Sequence, residues 1–250
     1  MKNEMNAKME DVAVPFTGGK DSTLVAMLMC EQFKRVHLLT FVNSLTGDVN
    51  KSKVNVKKLR DIFGENRIIH RIINIDDLFK ELYMGKYLPD LKKYKTLLAG
   101  STCLSCSLAM VVHTIIYCIK NNIHFVRDGL NKTGFIFQDE FAQRQMKDFY
   151  KEYGIDYECP AYGINRTDLE LFKLGMTFKK LQILYSSQPV CKGGGDLRNI
   201  YFRCYYLPRY GRKKCEMTAI RWNEDKMDFC REYVCNYLEK PKQEWSKKCS

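Results

Sequence analysis

The sequence predicts an α/β fold in which helices cover both faces of a parallel sheet. Short apolar segments alternate with helical patterns along most of the chain, and such alternation is typical of β-α-β units. The segment 36–42 is almost continuously apolar, as strands buried on both faces of a parallel sheet are. A glycine turn also follows the first predicted strand and opens an apolar helix, at the edge where such sheets bind ligands.

Each predicted element follows from its own pattern. Short apolar runs predict strands at 11–16, 36–42, 67–75, 124–127 and 156–159. Longer periodic segments predict helices at 22–33, 51–63, 76–94, 102–120, 138–153 and 166–174. The third of these helices is expected to break near Pro89, and Thr167 is expected to cap the last of them.

The last quarter of the chain has a different composition. Beyond about residue 188, glycine, cysteine, arginine and tyrosine dominate, and the periodicity is weaker up to a helix predicted at 223–238. We therefore expect a main α/β domain at residues 1–187 and a small, cysteine-rich, basic C-terminal appendage at residues 188–250.

Composition favours a packed cytoplasmic protein with a polyanionic partner. The chain has 250 residues, of which 45% are hydrophobic, and this excludes a disordered class. No apolar run approaches the roughly 20 residues that span a bilayer, and the N-terminus lacks the apolar core of a signal peptide. The net charge of +12 indicates contact with a polyanion such as RNA, although a solvated basic surface would have the same charge.

The eleven cysteines point to chemistry rather than to disulfides, because their number is odd and the chain shows no secretory signal. In a reducing compartment, clustered cysteines indicate metal binding, an iron–sulfur cluster or sulfur transfer. Cys30 and Cys118 lie within apolar helical patterns and are expected to be ordinary buried residues. Four histidines are expected to be core residues without a catalytic role: His37, His70, His113 and His124.

The glycine turn has the composition of a phosphate-binding loop. Its sequence is Thr17-Gly18-Gly19-Lys20-Asp21-Ser22. Glycines let the backbone approach a phosphate closely, and the start of the next helix offers free N–H groups and the positive end of a dipole. Lys20 adds a cation, and Ser22 adds a hydroxyl donor. The spacing matches neither a GxxxxGK[ST] loop nor a GxGxxG turn.

This segment resembles the SGGxDS signature of the PP-loop ATP pyrophosphatase superfamily, with Thr17 in place of the first serine. The resemblance implies a Rossmann-like, adenine nucleotide alpha-hydrolase-like fold that cleaves ATP between its α and β phosphates in the presence of Mg²⁺. A substrate oxygen would be adenylylated, and a nucleophile would then displace AMP.

The same resemblance implies roles for particular residues. Those implied to bind the nucleotide are Thr17, Gly18, Gly19, Lys20, Asp21 and Ser22 at the pyrophosphate, Phe41 and Val42 at the adenine, and Asp128 in a second loop. Asp21 is also implied to lie near Mg²⁺ and to take part in catalysis. The second loop lacks the GHxxDD-like sequence that the superfamily often carries there, so Asp128 alone is assigned from it.

Cys103 and Cys106 form the only CxxC motif, at the start of an apolar helix. The two thiols are expected about one turn apart on one face, where a helix N-terminus lowers the pKa of a thiol. Without a second CxxC, a four-cysteine zinc site is not established. A later cysteine, Cys191, follows the last helix of the main domain. A redox-active pair, or simple packing of Cys103 and Cys106 against the sheet, stays open.

The order of these motifs resembles the two-thiocytidine tRNA thiolase group and its archaeal-type relatives. That resemblance implies that Cys103, Cys106 and Cys191 hold a [4Fe-4S] cluster with one iron open to sulfide, and that Cys191 takes part in catalysis. The chain would then be an ATP-dependent sulfur transferase acting on tRNA or a nucleoside. The modified base, the sulfur donor and the oligomeric state, a homodimer included, do not follow from the sequence.

Three alternatives stay open. A 7-cyano-7-deazaguanine synthase-like ligase would use a zinc ion, Zn²⁺, held by Cys191, Cys204 and Cys215, although gaps of thirteen and eleven residues are wide for such a site. A phosphoadenylylsulfate reductase-like enzyme shares the loop but normally has a C-terminal catalytic cysteine motif. A nucleotide-binding module without catalysis is disfavoured by the intact Lys20, Asp21 and Ser22.

The basic C-terminal region also indicates an RNA interface. Its cations alternate with aromatic residues, and this combination suits phosphate contacts and unpaired bases. The residues are Arg198, Arg203, Arg209, Arg212, Lys213 and Lys214, with Tyr201, Phe202, Tyr205, Tyr206 and Tyr210. A solvated surface over a small aromatic cluster is the simpler interpretation.

Overall fold

The structure is a computed structural model that describes residues 10–46, 49–85, 87–94, 101–130, 140–176 and 207–239. The strands are β1 (Asp11–Pro15), β2 (Arg35–Val42), β3 (Ile68–Asn74), β4 (Phe125–Arg127) and β5 (Asp156–Glu158). They form a sheet of order β3-β2-β1-β4-β5 in which every neighbouring pair is parallel. The predicted α/β class is confirmed, and each strand ends within one residue of its prediction.

Helices connect the strands and cover the sheet. They are α1 (Lys20–Gln32), α2 (Ser52–Phe63), α3 (Asp76–Lys80), α4 (Tyr87–Tyr94), α5 (Ser101–Asn121), α6 (Glu140–Lys151), α7 (Thr167–Lys173), α8 (Leu207–Tyr210) and α9 (Arg212–Glu239). Turns of 3₁₀ helix precede α2 and β3, at Val49–Lys51 and Glu65–Arg67. A π-helical turn, Glu81–Gly85, follows α3.

The helix break predicted near Pro89 comes just before α4. Pro89 is the third residue of α4, where the N–H that proline lacks would have no partner within the helix. The regular helix is instead interrupted before α4, by the π-helical turn Glu81–Gly85.

β1 lies at the centre of the sheet, and its side chains show why both faces are covered. Val12, Ala13 and Val14 are fully buried. Val12 and Val14 belong to one hydrophobic core with residues of α1, α2 and α7. Ala13 belongs to a second core with residues of α3, α5, α6 and α9. Because successive side chains of a strand point to opposite faces, this alternation places a helical layer on each side.

The direction in which strands are added reverses next to β1. β2 and β3 lie on one side of it, and the chain then returns across the sheet to place β4 on the other side, where Val12 pairs with Phe125. The carboxyl ends of β1 and β4 therefore flank the point where the strand order reverses, which is where open α/β sheets bind ligands.

Helix α5 is long and apolar enough to cross a membrane by length and composition alone, with a mean hydropathy of 1.8 over 18 residues. No such segment was expected from the sequence. In the fold, 67% of this window is buried, and residues such as Val112 and Ile115 lie in the second core. The helix packs against both β1 and α9, which is the environment of a core helix.

The last helix, α9, begins earlier than predicted and shares the core of the main domain. Trp222, Cys230 and Val234 are fully buried in the same core as α5. Trp222 Nε1 and Lys226 Nζ also donate to the two carboxylate oxygens of Asp90 on α4, at 2.9 and 2.8 Å. The boundary predicted near residue 188 falls outside the described residues and stays a prediction.

The residues predicted to be ordinary core residues largely are so. Cys30 and Cys118 are buried, and burial raises the pKa of the Cys30 thiol to about 12. His37 and His113 are also buried, at 5% exposure each. His124 is exposed, so the prediction for that histidine was wrong, because it lies just before β4 begins at Phe125.

Candidate functional site

The glycine turn lies at the carboxyl end of the central strand, as predicted. Phe16 N donates to Leu39 O at 2.7 Å and so continues the pairing of β1 with β2 for one residue. Gly18 then has a φ of +77°, a conformation that side-chain-bearing residues rarely adopt. Gly19 is the N-cap residue of α1, which starts at Lys20, two residues earlier than the sequence pattern suggested.

Three carbonyl oxygens of the turn are held by side chains of the protein. Thr40 Oγ1 donates to Phe16 O at 2.7 Å, and Asn55 Nδ2 donates to Gly18 O at 2.6 Å. Gly19 O accepts from the hydroxyls of Thr23 at 2.7 Å and of Ser22 at 3.3 Å, and from Thr23 N at 3.0 Å. Because carbonyl oxygens repel anions, tying them to protein donors leaves the N–H groups at the start of α1 as the polar groups that suit an anion.

Thr17 keeps the hydroxyl that the usual serine would supply. Its Oγ1 accepts from Gly19 N at 3.2 Å and lies 3.4 Å from Ser22 Oγ. The hydroxyl therefore links the two ends of the turn, and threonine in place of serine leaves this link intact.

The loop after β4 packs directly against the start of α1. A Cβ atom added at Gly129 would lie 2.7 Å from Ser22 N and 2.8 Å from Ser22 Cα, closer than real Cβ contacts. Glycine is therefore required at this position by the approach of two backbones. The loops that follow β1 and β4 therefore meet beside the point where the strand order reverses. Asp128 directly precedes the glycine that makes this contact.

Asp128 is half-buried and is held by a short chain of hydrogen bonds. Tyr157 Oη donates to Asp128 Oδ2 at 3.3 Å, and Cys159 Sγ donates to Tyr157 Oη at the same distance. Burial raises the pKa of Asp128 to about 6, although the Tyr157 hydroxyl and the N–H groups of Gly129 and Leu130 lower it in part. Burial also raises the pKa of Tyr157, so the phenol stays protonated and able to donate.

Asp21, in the first turn of α1, is held by a residue from a distant helix. Thr167 Oγ1 donates to Asp21 Oδ1 at 2.7 Å, and the two residues are 146 positions apart in sequence. The prediction that Thr167 caps its helix was wrong, because Thr167 is the first helical residue, and the N-cap residue, Arg166, makes no side-chain capping bond. The hydroxyl is used instead to orient the carboxylate of the turn.

Phe41 and Val42, implied to hold adenine, end β2 beside the turn. Phe41 is buried in the second core, Val42 is half-buried, and Val42 O accepts from Ile75 N at 2.9 Å. These positions border the site, while their role toward adenine stays a prediction.

The CxxC pair lies on the first two turns of α5, with Cys103 exposed and Cys106 half-buried. Asn43, which directly follows β2 and is buried, donates from Nδ2 to Cys106 Sγ at 3.3 Å. This bond places Cys106 at the same edge of the sheet as the glycine turn, since β2 pairs with β1 in parallel.

The third implied cluster ligand, Cys191, lies outside the described residues. Within the described part of the chain, no group of three His, Cys, Asp or Glu side chains is arranged to hold a metal ion. For the zinc alternative, Cys204 is likewise outside the described residues, whereas Cys215 is buried on α9 and burial raises the pKa of its thiol.

Several residues of the site could not be assigned to it from the sequence. Asn43, Asn55, Tyr157 and Thr167 lie outside the glycine turn and the CxxC motif, and only the fold brings them to the carboxyl edge. A loop residue after a predicted strand, such as Asn43, was the one position among them that strand order could have indicated.

A surface depression of about 500 Å³ lies at the opposite, amino edge of the sheet. Its lining residues are Cys30, Glu31, Phe33, Lys34, Phe63 and Arg67. The Arg67 guanidinium donates there to the carbonyls of Cys30, Phe33 and Lys34, and so caps the C-terminus of α1. This cation therefore stabilises a helix end, and the depression is remote from the glycine turn.

No protein-family model matches the sequence, and no curated protein matches it. The solved structures similar to the chain include a predicted subunit of a tRNA methyltransferase from Methanocaldococcus jannaschii, with a TM-score of 0.43 and 17% identity over 66% of this chain and 75% of that one. A 4-thiouridine synthetase in complex with RNA and ATP has a TM-score of 0.44 and 14% identity, covering 90% of this chain.

The NMN synthetase of Francisella tularensis has a TM-score of 0.40 and 12% identity over 90% of this chain and 88% of its own length. The chain spans about half, 53%, of the 4-thiouridine synthetase. Because the TM-scores are below 0.5 and the identities are 12 to 17%, these similarities assign neither a family nor an activity to this chain.

Proposed function

We propose that the chain is a cytoplasmic, ATP-dependent enzyme of the PP-loop type that adenylylates an oxygen of tRNA or of a nucleoside and replaces it with sulfur. The observation that supports this proposal best is the glycine turn between β1 and α1. Its carbonyls are held by Thr40, Asn55 and Thr23, and the N-terminus of α1 begins directly after it. Such a turn suits the phosphates of ATP.

The α1 N-terminus would bind the phosphates through backbone N–H groups and the helix dipole. Lys20, the first residue of α1, adds a positive charge. Asp21 would bind Mg²⁺ beside the phosphates, and the hydroxyl of Thr167, which donates to one of its oxygens, would orient it. Mg²⁺ prefers such carboxylates together with phosphate oxygens as ligands.

Asp128 would face the same nucleotide from the second loop. Its loop touches the backbone of Ser22 through Gly129. Because burial raises the pKa of Asp128 to about 6, this carboxyl group is poised near neutral pH, where it can accept or release a proton during the reaction.

The sulfur part of the proposal rests on the CxxC pair. Two thiols on the first turns of α5 are suitable donors for a cluster, and Asn43 orients the sulfur of Cys106 toward the edge that carries the glycine turn. With Cys191 as third ligand they would hold a [4Fe-4S] cluster, which when bound would supply an iron position for sulfide. Cys103, at the exposed end of the pair, would be its outer ligand.

RNA is the proposed partner because the chain carries a net charge of +12 and exposed cations on α8 and at the start of α9. Arg209 on α8 and Arg212, Lys213 and Lys214 on α9 are exposed, while the other cations of the predicted basic region lie outside the described residues. Binding through such residues should weaken steeply with salt, since phosphate contacts release counterions.

The proposal is tested with protein purified under anaerobic conditions. Iron, zinc and sulfide are measured, and the chain is then incubated with MgATP, sulfide and total tRNA before nucleosides are analysed by mass spectrometry. We expect iron and sulfide in the protein and a thiolated nucleoside in the RNA. Zinc without iron would contradict the cluster and favour the zinc-containing ligase, and RNA that never gains sulfur would contradict the sulfur-transfer proposal.

The ligand assignment has its own test. Serine variants of Cys103 and of Cys106 should lose the bound iron, whereas Cys235→Ser on the exposed side of α9 should keep it. An iron content that survives loss of both CxxC cysteines would show that other residues hold the iron.

A further inference from the structure

We propose that Asn55 is a positioning residue of the phosphate loop, holding Gly18 in the conformation that lets the loop bind an anion. The proposal rests on the nucleotide function proposed above. It concerns a residue outside the sequence motif, since Asn55 lies on α2, 37 positions after Gly18.

The contact between the two residues is short and fully enclosed. Asn55 is 0% exposed, Gly18 is buried, and Asn55 Nδ2 lies 2.6 Å from Gly18 O. A carbonyl oxygen only accepts hydrogen bonds, so the atom that faces it must be the NH₂ group and the orientation of the amide is determined. The side chain therefore fixes the direction of one peptide group in the turn.

The direction of that peptide group matters for an anion. Gly18 has a φ of +77°, and glycine pays little to adopt or to leave this conformation. A peptide free to rotate could turn its carbonyl oxygen toward the bound phosphates and repel them. Asn55 prevents this rotation, as Thr23 and Ser22 do for the next carbonyl, Gly19 O.

The amide oxygen of Asn55 indicates that this residue does more than stabilise the fold. Among the residues that the structure describes, Asn55 Oδ1 is buried without a hydrogen-bond partner, and such an acceptor is destabilising. A leucine has nearly the same shape and would fill the space without an unpaired acceptor. The group that an apolar residue could not replace is the N–H donor to Gly18.

The test compares the wild-type chain with Asn55→Leu and Asn55→Ala by calorimetric titration with MgATP and, separately, with inorganic pyrophosphate and with adenosine. Both substitutions remove the donor, and leucine also keeps the shape of the side chain. We expect the affinity for ATP and for pyrophosphate to fall about tenfold, the factor that corresponds to about 1.4 kcal/mol. The affinity for adenosine should not change, because adenosine has no phosphate.

Asn223→Leu is the matched control. Asn223 is also buried, on α9, and its Nδ2 donates to Gln145 Oε1 at 3.1 Å. Its helix packs in the second core, on the other face of the sheet from α1. This variant should bind ATP and pyrophosphate as the wild-type chain does. A loss of affinity in the control equal to that of the Asn55 variants would overturn the positioning role, since any buried amide would then have the same effect.

The outcomes separate this inference from the proposed function. If the wild-type chain binds neither ATP nor pyrophosphate, the nucleotide function itself is wrong. If the wild-type chain binds both and a folded Asn55 variant binds them within about twofold, the inference alone is wrong. Circular dichroism establishes which variants are folded, and either one of the two Asn55 variants is sufficient for the comparison.

Discussion

Replacing Gly129 by alanine should damage the contact between the two loops of the site. The new Cβ atom would lie 2.7 Å from Ser22 N and 2.8 Å from Ser22 Cα, whereas ordinary contact begins at 3.4 Å. One backbone must therefore move by about 0.7 Å, because no flexible side chain is available to rotate away. Over-packing of this kind costs about 1–3 kcal/mol of unfolding free energy. Displacing the start of α1 should also weaken ATP binding by about tenfold or more.

Urea unfolding followed by circular dichroism, together with titration with MgATP, measures both effects. Gly85→Ala is the matched control, because a Cβ atom there meets nothing within 4 Å. The control should unfold at the same urea concentration as the wild-type chain or slightly above it. A Gly129→Ala variant with wild-type stability and wild-type ATP affinity would refute the close packing of these loops.

Two further predictions concern the carboxylates of the site. Thr167→Val removes the hydroxyl that donates to Asp21 Oδ1 at 2.7 Å, so titration with MgATP should show an affinity about tenfold lower than that of the wild-type chain. Thr167→Ser keeps a hydroxyl and should keep the wild-type affinity. A valine variant that binds MgATP as the wild-type chain does would contradict this role of Thr167. Asp128 has its pKa raised by burial from 3.8 to about 6, so the folded protein keeps a proton that the unfolded chain releases, and stability should fall as the pH rises through this window. Asp128→Asn should therefore raise the urea midpoint more at pH 7.5 than at pH 4.5, and an equal shift at both pH values would show that Asp128 is not the group responsible.

Much of the fold could be predicted because its signals are local. A buried parallel strand such as β2 is a continuous apolar run, and six of its eight residues are buried. The position of the glycine turn could also be predicted. A positive φ at Gly18 favours glycine, and the apolar pattern of the next helix shows where the turn ends. The helix at the C-terminus was harder to place, since its buried residues, such as Trp222, are separated by charged ones.

The partners of the turn could not be predicted, because they depend on tertiary contacts. Asn55 and Thr167 are polar residues on helices, where a pattern of hydrophobicity indicates a solvated face or a cap. Each instead donates a hydrogen bond to the turn from a distant part of the chain. Gly129 has the sequence context of an ordinary loop glycine, and only the fold shows that it packs against the backbone of Ser22.

The burial of some cysteines could be predicted from the sequence, whereas the tertiary contacts of others could not. Burial of Cys30 and Cys118 followed from the apolar pattern around them. The link from Asn43 to Cys106 spans 63 positions and follows only from the way α5 packs beside the end of β2. Whether Cys191 joins the pair is decided by a segment outside the described residues, and it stays a prediction.

The central claim, that this chain activates a substrate by cleaving ATP between its α and β phosphates, is tested most directly by the products of ATP cleavage. The wild-type chain is incubated anaerobically with MgATP and total tRNA, and the nucleotides are separated by chromatography. We predict AMP and pyrophosphate, with formation abolished in Asp21→Asn and retained in Asp61→Asn, which changes an exposed carboxylate on α2. Release of ADP and phosphate, or AMP formation that Asp21→Asn leaves unchanged, would contradict the claim.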